Sequence, residues 1–425
     1  MKNNNLPVAV IGAGPVGMAA AAHLTKRNIP FILFESRNTV GGNITSWAHV
    51  NVFSPWKYNV DKAAKELLDR AGWTHPPEEK VHSGKEFIDL YLNPLASIPV
   101  IKPHIHLNSK VVAIGRKNMD KMKDKHRENV PFVIRVKQGD KYNLFEAKAV
   151  IDASGSWLNP NPVGSDGNFA IGETENASRI FYGIPDASKK SEERYANKKM
   201  AVVGSGHSAI NTIFELEKIK DKFPDTEINW ILRKQNIKDV YGGQANDQLA
   251  ARGELGIKIE QLVNSEKVNI YTPFRIEEIR KMESKVALIG YQGDRRAMIP
   301  HIDEIISNTG SRPDFSFLGE IRLSVSSSVE SSAAIADLID PNLHSCGSVR
   351  PHGELELAHA EKDFYIVGIK SYGRAPTFLM ATGYEQVRSV VAALDGDMEA
   401  ARKVELELPE TGVCNSGRGE GACCA

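Results

Sequence analysis

The sequence predicts an α/β fold with two dinucleotide-binding, Rossmann-type domains, the second inserted in the first. Two glycine-rich turns carry this prediction, one at residues 12–17 near the N-terminus and one at residues 204–209 near the middle of the chain. Each turn follows a short apolar run and precedes a run of helix-forming residues, which is the order strand, turn, helix. Two such turns predict that one polypeptide holds two nucleotides.

Composition places the chain among ordinary globular proteins. Its 425 residues suffice for two or three domains, with 41% hydrophobic and 25% charged residues. Lys plus Arg and Asp plus Glu each total 53, so charge indicates neither nucleic acid nor an anionic membrane as partner. Glycines interrupt the apolar N-terminal run, which we interpret as a nucleotide loop rather than a signal peptide, and no other stretch predicts a membrane span. Four cysteines favour a reducing, cytoplasmic setting.

The first turn has the parts of a pyrophosphate site. Gly12 permits a tight turn, Gly14 lets the backbone approach the pyrophosphate, and Gly17 lets the helix pack on the strand. The helix N-terminus adds N–H groups and partial positive charge. A second apolar strand ends in Glu35, whose carboxylate accepts hydrogen bonds from ribose hydroxyls in sites of this kind.

The segments that follow assign this first site to FAD. Gly42 belongs to a glycine pair where flavoproteins bring backbone close to the flavin. Val111 lies in a predicted strand, residues 109–114, and a further strand ends in Ser154 and Gly155. Flavoproteins close the first part of the FAD domain with such a stretch before the chain crosses over. These four residues are therefore candidate FAD contacts.

The second turn predicts a site for NADPH. Ala209 takes the place of the third glycine, and the next strand ends in two cations rather than an acid. An acid repels a 2′-phosphate, whereas Arg offers it a planar, charge-assisted fork, so we expect NADPH rather than NADH. A solvated strand end and a catalytic role for the turn histidine are the alternatives. The candidate contacts are Gly204, Gly206, His207, Ser208, Arg233 and Lys234.

The order of these units predicts the domain arrangement. The FAD domain takes residues 1–160 and 303–400, the NADPH domain residues 161–302, and a flexible Cys-containing tail residues 401–425. A strand ending in a Thr-Gly turn marks the return to the FAD domain, and a helix predicted to open at Pro376 directs its N-terminus at the flavin. Candidate flavin contacts in this second part are Thr309, Gly310, Gly368, Thr377 and Phe378.

Together, residues 6–395 resemble the class B flavoprotein monooxygenases, which include the flavin-containing monooxygenases and Baeyer–Villiger enzymes. Three stretches, residues 53–59, 181–186 and 371–378, are similar to ArsO-type flavoproteins encoded beside arsenic-resistance genes. The class B signature F-x-G-x-x-x-H begins at residue 181, but Ala187 stands where its histidine belongs.

The resemblance implies an active site and a reaction. Asn51 or Asn59 corresponds to the active-site asparagine of flavin-containing monooxygenases. NADPH reduces FAD, O2 adds to give a flavin C4a-(hydro)peroxide, and a small soft nucleophile or carbonyl takes an oxygen atom. The ArsO-type stretches imply a link to arsenic detoxification. The missing histidine leaves open an NAD(P)H oxidase or reductase without oxygen insertion.

The cysteines exclude one reaction and indicate another ligand. The chain has no Cys-x-x-Cys pair, which argues against thioredoxin-reductase chemistry. Cys346 is expected to be a buried small thiol, with a metal or nucleophile role as the alternative. The glycine-rich tail carries three thiols that suit a soft ion such as trivalent arsenic, unless they serve no ligand. A thiol-tailed metalloid-binding or sensing flavoprotein is therefore a third interpretation, with Cys414, Cys423 and Cys424 as ligands.

Overall fold

The computed structural model describes residues 5–247, 249–343, 349–375 and 378–406. The chain divides into two compact units. The first unit contains residues 1–159 and 312–410, and the second contains residues 160–311. Each unit combines a five-stranded parallel sheet, a three-stranded antiparallel sheet and helices.

The first unit contains the two ends of the described chain. Its strands are β1 (Val8–Ile11), β2 (Phe31–Phe34), β3 (Asn51–Pro55), β4 (Val81–Ser83), β5 (Ile105–His106), β6 (Lys110–Arg116), β7 (Phe132–Gln138), β8 (Lys141–Ala147), β9 (Ala149–Asp152) and β18 (Phe364–Ile366). Its helices are α1 (Pro15–Lys26), α2 (Trp56–Asn59), α3 (Lys62–Arg70), α4 (Gly84–Phe87), α5 (Asn93–Ser97), α9 (Ala336–Ile339), α10 (Glu354–Leu357), α11 (Met380–Leu394) and α12 (Met398–Arg402).

The parallel sheet of the first unit has the order β18-β9-β1-β2-β5. Strand β1 is buried on both faces, which explains its continuous apolar sequence. Val8 and Val10 belong to the core shared with α1 and α11, whereas Ala9 and Ile11 pack with the antiparallel sheet β6-β7-β8. The sheet therefore lies between a helical layer and a second sheet.

The second unit repeats this plan. Its strands are β10 (Ile180–Tyr182), β11 (Lys199–Val203), β12 (Glu227–Ile231), β13 (Asn269–Tyr271), β14 (Phe274–Met282), β15 (Lys285–Gln292), β16 (Arg295–Ile302) and β17 (Glu304–Ser307). Its helices are α6 (Lys189–Tyr195), α7 (His207–Lys222) and α8 (Ala250–Asn264). The parallel sheet, in the order β10-β17-β11-β12-β13, packs α7 and α8 on one face and the antiparallel sheet β14-β15-β16 on the other.

Two sequence-based boundaries need correction. The return to the first unit was expected at residue 303, but β17 pairs in parallel with β10 and β11, so the second unit extends to residue 311. The last long helix was expected to open at Pro376, which lies outside the described residues, whereas α11 begins at Met380. Within the described ranges, no helix combines the length and apolar character needed to cross a membrane.

Two candidate nucleotide sites

The first glycine turn is closed toward the protein and open on its outer side. Gly12 has a φ of +97°, and a Cβ there would lie 2.7 Å from the Ala153 carbonyl oxygen. A Cβ on Gly17 would lie 1.8 Å from the Gly12 carbonyl oxygen, so helix α1 approaches the turn only without a side chain. A Cβ on Gly14 meets no atom within 4 Å. This open edge leaves room for a pyrophosphate against the backbone.

Glu35 is fixed beside this turn. It is 8% exposed, and its Oε2 accepts a hydrogen bond from the Ala13 N–H at 2.8 Å. Its Oε1 accepts one from the Arg37 N–H, also at 2.8 Å. The carboxylate thus stands at the end of β2 with a set orientation, and its remaining lone pairs fit ribose hydroxyls.

The glycine pair that follows packs against the same turn. The Gly41 N–H donates to the Ala13 carbonyl oxygen at 2.8 Å, and Gly41 has a φ of +63°. A Cβ on Gly42 would lie 2.4 Å from the Arg37 side chain. The next residue, Asn43, has a buried Oδ1 with no hydrogen-bond partner among the described residues. An orphaned acceptor beside an open cradle fits a ligand that brings donors.

A buried ion pair closes the other side of the first site. Lys370 is 1% exposed, and its Nζ donates to Asp152 Oδ2 at 2.8 Å, Ser154 Oγ at 3.1 Å and the Asp314 carbonyl oxygen at 2.7 Å. Asp152 Oδ1 accepts from the Ser154 N–H at 3.0 Å. The pair fixes the predicted contact Ser154, which the predicted contact Gly155 follows in the chain. Sequence reasoning missed Lys370, although a lysine next to the apolar end of a strand was an available signal.

Gly368 and Phe378 gather at the start of α1. The Gly368 N–H donates to Gln386 Oε1 at 2.7 Å, and a Cβ on Gly368 would lie 3.3 Å from a Val16 methyl group. A Cβ on Gly383, in α11, would lie 2.6 Å from Val16 and 2.9 Å from the Phe378 ring. Both predicted contacts therefore lie beside the first turn, and the predicted contact Thr377 lies outside the described residues.

Two other predicted flavin contacts are placed differently. The Val111 side chain is 7% exposed and belongs to the core against β6-β7-β8, so only its backbone is available to a ligand. Thr309 and Gly310 lie in the second unit, where Thr309 Oγ1 donates to the Asn161 carbonyl oxygen at 2.6 Å. The Asn161 N–H donates to the Gly310 carbonyl oxygen at 3.0 Å. Their location is a correction, and their cofactor role stays a prediction.

The two candidate catalytic asparagines differ in their surroundings. Asn51 is exposed at the start of β3. Asn59 is 1% exposed, and its Oδ1 accepts from Ser54 Oγ at 2.9 Å. Its Nδ2 donates to the Ser54 carbonyl oxygen at 2.9 Å and to His82 Nε2 at 2.8 Å. Both amide hydrogens of Asn59 are used inside the protein, so the geometry favours a structural role for its side chain.

The second glycine turn has the same construction as the first. Gly204 has a φ of +132°, and a Cβ there would lie 2.3 Å from the Asn308 carbonyl oxygen. A Cβ on Gly206 meets no atom within 4 Å. Ala209 is fully buried at the third small position. This turn is also closed on the inside and open where a pyrophosphate would contact backbone N–H groups.

The predicted NADPH contacts share one edge of the second sheet. His207 and Ser208 open α7, directly after β11 and the turn. Arg233 and Lys234 follow the end of β12, which pairs in parallel with β11. Arg233 is exposed, and its Nη1 donates to the Ser165 carbonyl oxygen at 3.1 Å. Lys234 Nζ donates to the Asp239 carbonyl oxygen at 3.1 Å. Two cations at this strand end fit a 2′-phosphate.

Both turns lie at the point where strand order reverses. Strand β1 has β2 on one side and β9 on the other, and β11 has β12 on one side and β17 on the other. Open parallel sheets bind ligands at the carboxyl ends of such strands. Fold and sites together define the class of flavoprotein oxidoreductases that hold two dinucleotides.

The family follows from comparison. Residues 9–333 match the pyridine nucleotide-disulphide oxidoreductase family, and the chain belongs to it. It is an NAD(P)H-dependent flavoprotein oxidoreductase that uses FAD and NADP(H). The predicted fold class, enzyme class and cofactors are confirmed.

Two curated relatives are ferredoxin–NADP reductases. The enzyme of Oenococcus oeni is 24% identical over 290 residues, which are 68% of this chain and 65% of the relative. The chain thus spans less than two thirds of that relative's length. Ferredoxin–NADP reductase 1 of Lysinibacillus sphaericus is 24% identical over 367 residues, which are 83% of this chain and 84% of the relative.

Solved structures show the same fold. The bacillithiol disulfide reductase of Bacillus cereus is 16% identical with a TM-score of 0.67, covering 92% of this chain and 99% of its own. The cadaverine monooxygenase of desferrioxamine biosynthesis from Erwinia amylovora, solved with FAD bound, is 12% identical with a TM-score of 0.65. It covers 97% of this chain and 99% of its own. Enzymes with different electron acceptors therefore share this architecture.

The predicted metal ligands Cys414, Cys423 and Cys424 lie outside the described residues. So does Cys346, for which a buried small thiol is predicted. In the part of the chain that is described, no three His, Cys, Asp or Glu side chains gather into a metal site.

Proposed function

We propose that the protein is an NADPH-dependent, FAD-containing monooxygenase acting on a small soft nucleophile or carbonyl compound. The observation that carries the proposal is the lack of a Cys-x-x-Cys pair anywhere in the sequence. We propose that electrons reaching the flavin leave it for an acceptor outside the chain, and that this acceptor is O2. The shared fold with a cadaverine monooxygenase supports this choice.

The residues of this chain bind and orient the cofactors. The open backbone at Gly14 and Gly206 would hold the two pyrophosphates, Glu35 would bind the FAD ribose, and Arg233 would bind the 2′-phosphate of NADPH. When bound, FAD supplies the electron transfer from NADPH to oxygen. One oxygen atom enters the product and the other leaves as water, with the two electrons coming from NADPH.

Buried aromatic side chains in the first unit exclude water from its interior. The ring centroids of Trp56 and His82 are 4.0 Å apart, those of His82 and Phe87 4.8 Å, and those of Phe87 and Tyr91 5.3 Å. All four residues are at most 1% exposed. We propose that this cluster packs behind the segment around Asn51 and Asn59 and limits access of water to that side of the reaction site.

Oxygen-18 labelling tests the proposal. Thiols, sulfides, amines, ketones and trivalent organoarsenicals are screened for NADPH consumption under labelled O2. We expect one substrate to gain one labelled oxygen atom for each NADPH oxidised. NADPH oxidation that yields hydrogen peroxide with every substrate, and no labelled product, would contradict oxygen insertion. A Gly206→Val variant, with the pyrophosphate position of the second turn obstructed, controls for oxidation unrelated to the enzyme.

A reductase without oxygen insertion is the second candidate. It is favoured by the ferredoxin–NADP reductase of Lysinibacillus sphaericus, which aligns over 83% of this chain. Anaerobic assays with NADPH and ferredoxin, or with a quinone, separate the two functions. Rapid reduction of either acceptor, with no labelled product in the oxygen-18 screen, would establish this candidate.

The third candidate is a metalloid-binding or sensing flavoprotein. Under this proposal the arsenic link implied by the ArsO-type stretches resides in the thiols of Cys414, Cys423 and Cys424. Equilibrium dialysis with arsenite compares the wild-type protein with the triple Cys→Ser variant. Loss of arsenite binding in the variant is expected. Unchanged binding would contradict a ligand role for the tail cysteines.

A further inference from the structure

Asn308 occupies a particular place beside the second glycine turn. It directly follows β17, and its N–H donates to the carbonyl oxygen of Val203, the last residue of β11, at 2.7 Å. Its own carbonyl oxygen lies so close to Gly204 that a Cβ on Gly204 would be 2.3 Å from it. Asn308 therefore lies at the strand reversal of the second unit, at the edge that carries the turn.

The orientation of the Asn308 amide is fixed. Its Nδ2 donates to the Gly183 carbonyl oxygen at 2.8 Å. A carbonyl oxygen only accepts hydrogen bonds, so the nitrogen must face Gly183 and Oδ1 must face away. That Oδ1 is buried and has no hydrogen-bond partner among the described residues. Leaving a buried acceptor unpaired is unfavourable, so a ligand that brings a donor would be bound more tightly.

The strand order indicates which part of NADP(H) reaches this atom. Arg233, expected to bind the 2′-phosphate of the adenosine half, follows β12, whereas Asn308 follows β17 on the opposite side of β11. A pyrophosphate bound at the turn would lie between them and would carry no hydrogen to donate. A dinucleotide bound in this way would extend across the end of β11, with its nicotinamide half on the β17 side.

We propose that Asn308 Oδ1 accepts a hydrogen bond from the nicotinamide half of NADP(H), from its ribose hydroxyl or its carboxamide N–H. Asn308 would then bind the nicotinamide half of the coenzyme, whereas the turn would bind its phosphates. The inference rests on NADP(H) binding by the second unit and is independent of whether oxygen is inserted into a substrate.

Equilibrium titration of the FAD-loaded enzyme tests this role without turnover. Asn308→Ala is expected to raise the Kd of NADP+ about tenfold and to leave the Kd of 2′,5′-ADP, which lacks the nicotinamide half, unchanged. Asn229 provides the matched control, since it is a buried asparagine of β12 with its Nδ2 on the Met200 carbonyl oxygen. Asn229→Ala is expected to bind both ligands as the wild type does.

The outcomes are distinct. An unchanged Kd for NADP+ in Asn308→Ala, or equal weakening of both ligands, would overturn the inference. If Asn308→Ala loses its FAD or fails to fold, Asn308→Ser takes its place. Serine keeps a short side chain with a hydroxyl donor but has no oxygen at the position of Oδ1. The same discrimination between the two ligands is expected of it. Failure of the wild-type enzyme to bind NADP+ would overturn the coenzyme assignment itself, whereas the oxygen-18 result bears only on the proposed reaction.

Discussion

At the scale of one residue, we expect Arg233 to set the coenzyme preference. Its guanidinium is exposed and bonds the Ser165 carbonyl oxygen at 3.1 Å, so it turns toward a phosphate without disturbing the core. A guanidinium forms two charge-assisted hydrogen bonds with the oxygens of a phosphate. Its interaction with the uncharged 2′-hydroxyl of NADH is weaker. Because the Arg233 side chain is exposed, we expect its substitution to change coenzyme binding without disturbing the fold.

We predict that Arg233→Gln weakens NADPH binding about tenfold and changes NADH binding less than about twofold. The measurement is the Kd of each reduced coenzyme in anaerobic titrations of the FAD-loaded enzyme. Lys234→Gln is the comparison and is expected to have the smaller effect, because an ammonium group lacks the planar fork with which a guanidinium pairs with two phosphate oxygens. An equal loss for NADPH and NADH would show that Arg233 acts on the turn rather than on the 2′-phosphate.

The surroundings of His82 favour its neutral form in the folded protein. Its Nε2 accepts from Asn59 Nδ2, and its Nδ1, 3.0 Å from the Ser83 carbonyl oxygen, carries the proton. Burial lowers the pKa of His82 below its ordinary value of 6.5. The unfolded chain therefore binds a proton more readily than the folded protein does, and this contribution to stability is lost as the pH falls below 6.5.

We predict that the free energy of unfolding decreases on acidification below about pH 6.5, by at most about 1.4 kcal/mol per pH unit for this one histidine. Urea unfolding across this range measures the slope. His82→Gln offers Asn59 an acceptor without titrating, so its slope is expected to be shallower. Identical slopes for variant and wild type would place the acid sensitivity elsewhere, for example at His352, whose pKa burial also lowers.

At the scale of elements, one helical segment shows how a proline is accommodated. Helices α4 and α5 are joined by a π-helical turn, and Pro94 lies in the first turn of α5. Proline has no N–H to donate to the carbonyl four residues earlier, which belongs to Leu90. The Trp73 Nε1–H donates to that carbonyl oxygen at 2.8 Å instead. A Ser83–Glu86 capping box fixes the start of the segment.

The Lys370–Asp152 ion pair joins elements that are distant in sequence. Asp152 ends β9, and Lys370 lies in the 3-10 segment that follows β18. Both side chains are fully buried, and the ammonium makes three hydrogen bonds. A pair of this kind is costly to break from one side, because the remaining charge stays buried without its partner.

We predict that Lys370→Met lowers the free energy of unfolding by about 3–5 kcal/mol. Adding Asp152→Asn to this variant is expected to recover part of the loss, since the unpaired charge is then removed. Urea unfolding of the two variants gives the difference, and their FAD content shows whether Ser154 keeps its place. Equal stability of the single variant and the wild type would mean that the pair has no structural role.

At the scale of the whole molecule, patterns local in sequence were predicted well. The short apolar runs of β2 and β11 predict strands by their composition alone, because a strand buried on both faces is apolar along its length. The antiparallel sheets β6-β7-β8 and β14-β15-β16 were largely missed as sheets, since their pairing depends on turns and on the face they cover.

Site prediction divides in the same way. The first glycines with Glu35, and the second glycines with Arg233, are each related by spacing within a single βαβ unit, so local sequence is enough to predict them as site residues. Lys370 and Asn308 owe their surroundings to strands far away in the chain, which no local pattern reveals. The strand β17 was assigned to the wrong unit because a strand's sequence does not specify the sheet that it joins.

The central claim is that the two turns divide the cofactors, FAD at the first and NADP(H) at the second. Gly14 and Gly206 test it directly, since φ values of −74° and −88° permit a side chain and a Cβ meets nothing within 4 Å. The measurement is bound FAD and the Kd of NADP+ in Gly14→Val and Gly206→Val. We predict that Gly14→Val loses most of its FAD, whereas Gly206→Val keeps FAD and binds NADP+ at least about tenfold more weakly. Loss of FAD from Gly206→Val with unchanged NADP+ affinity would contradict the account.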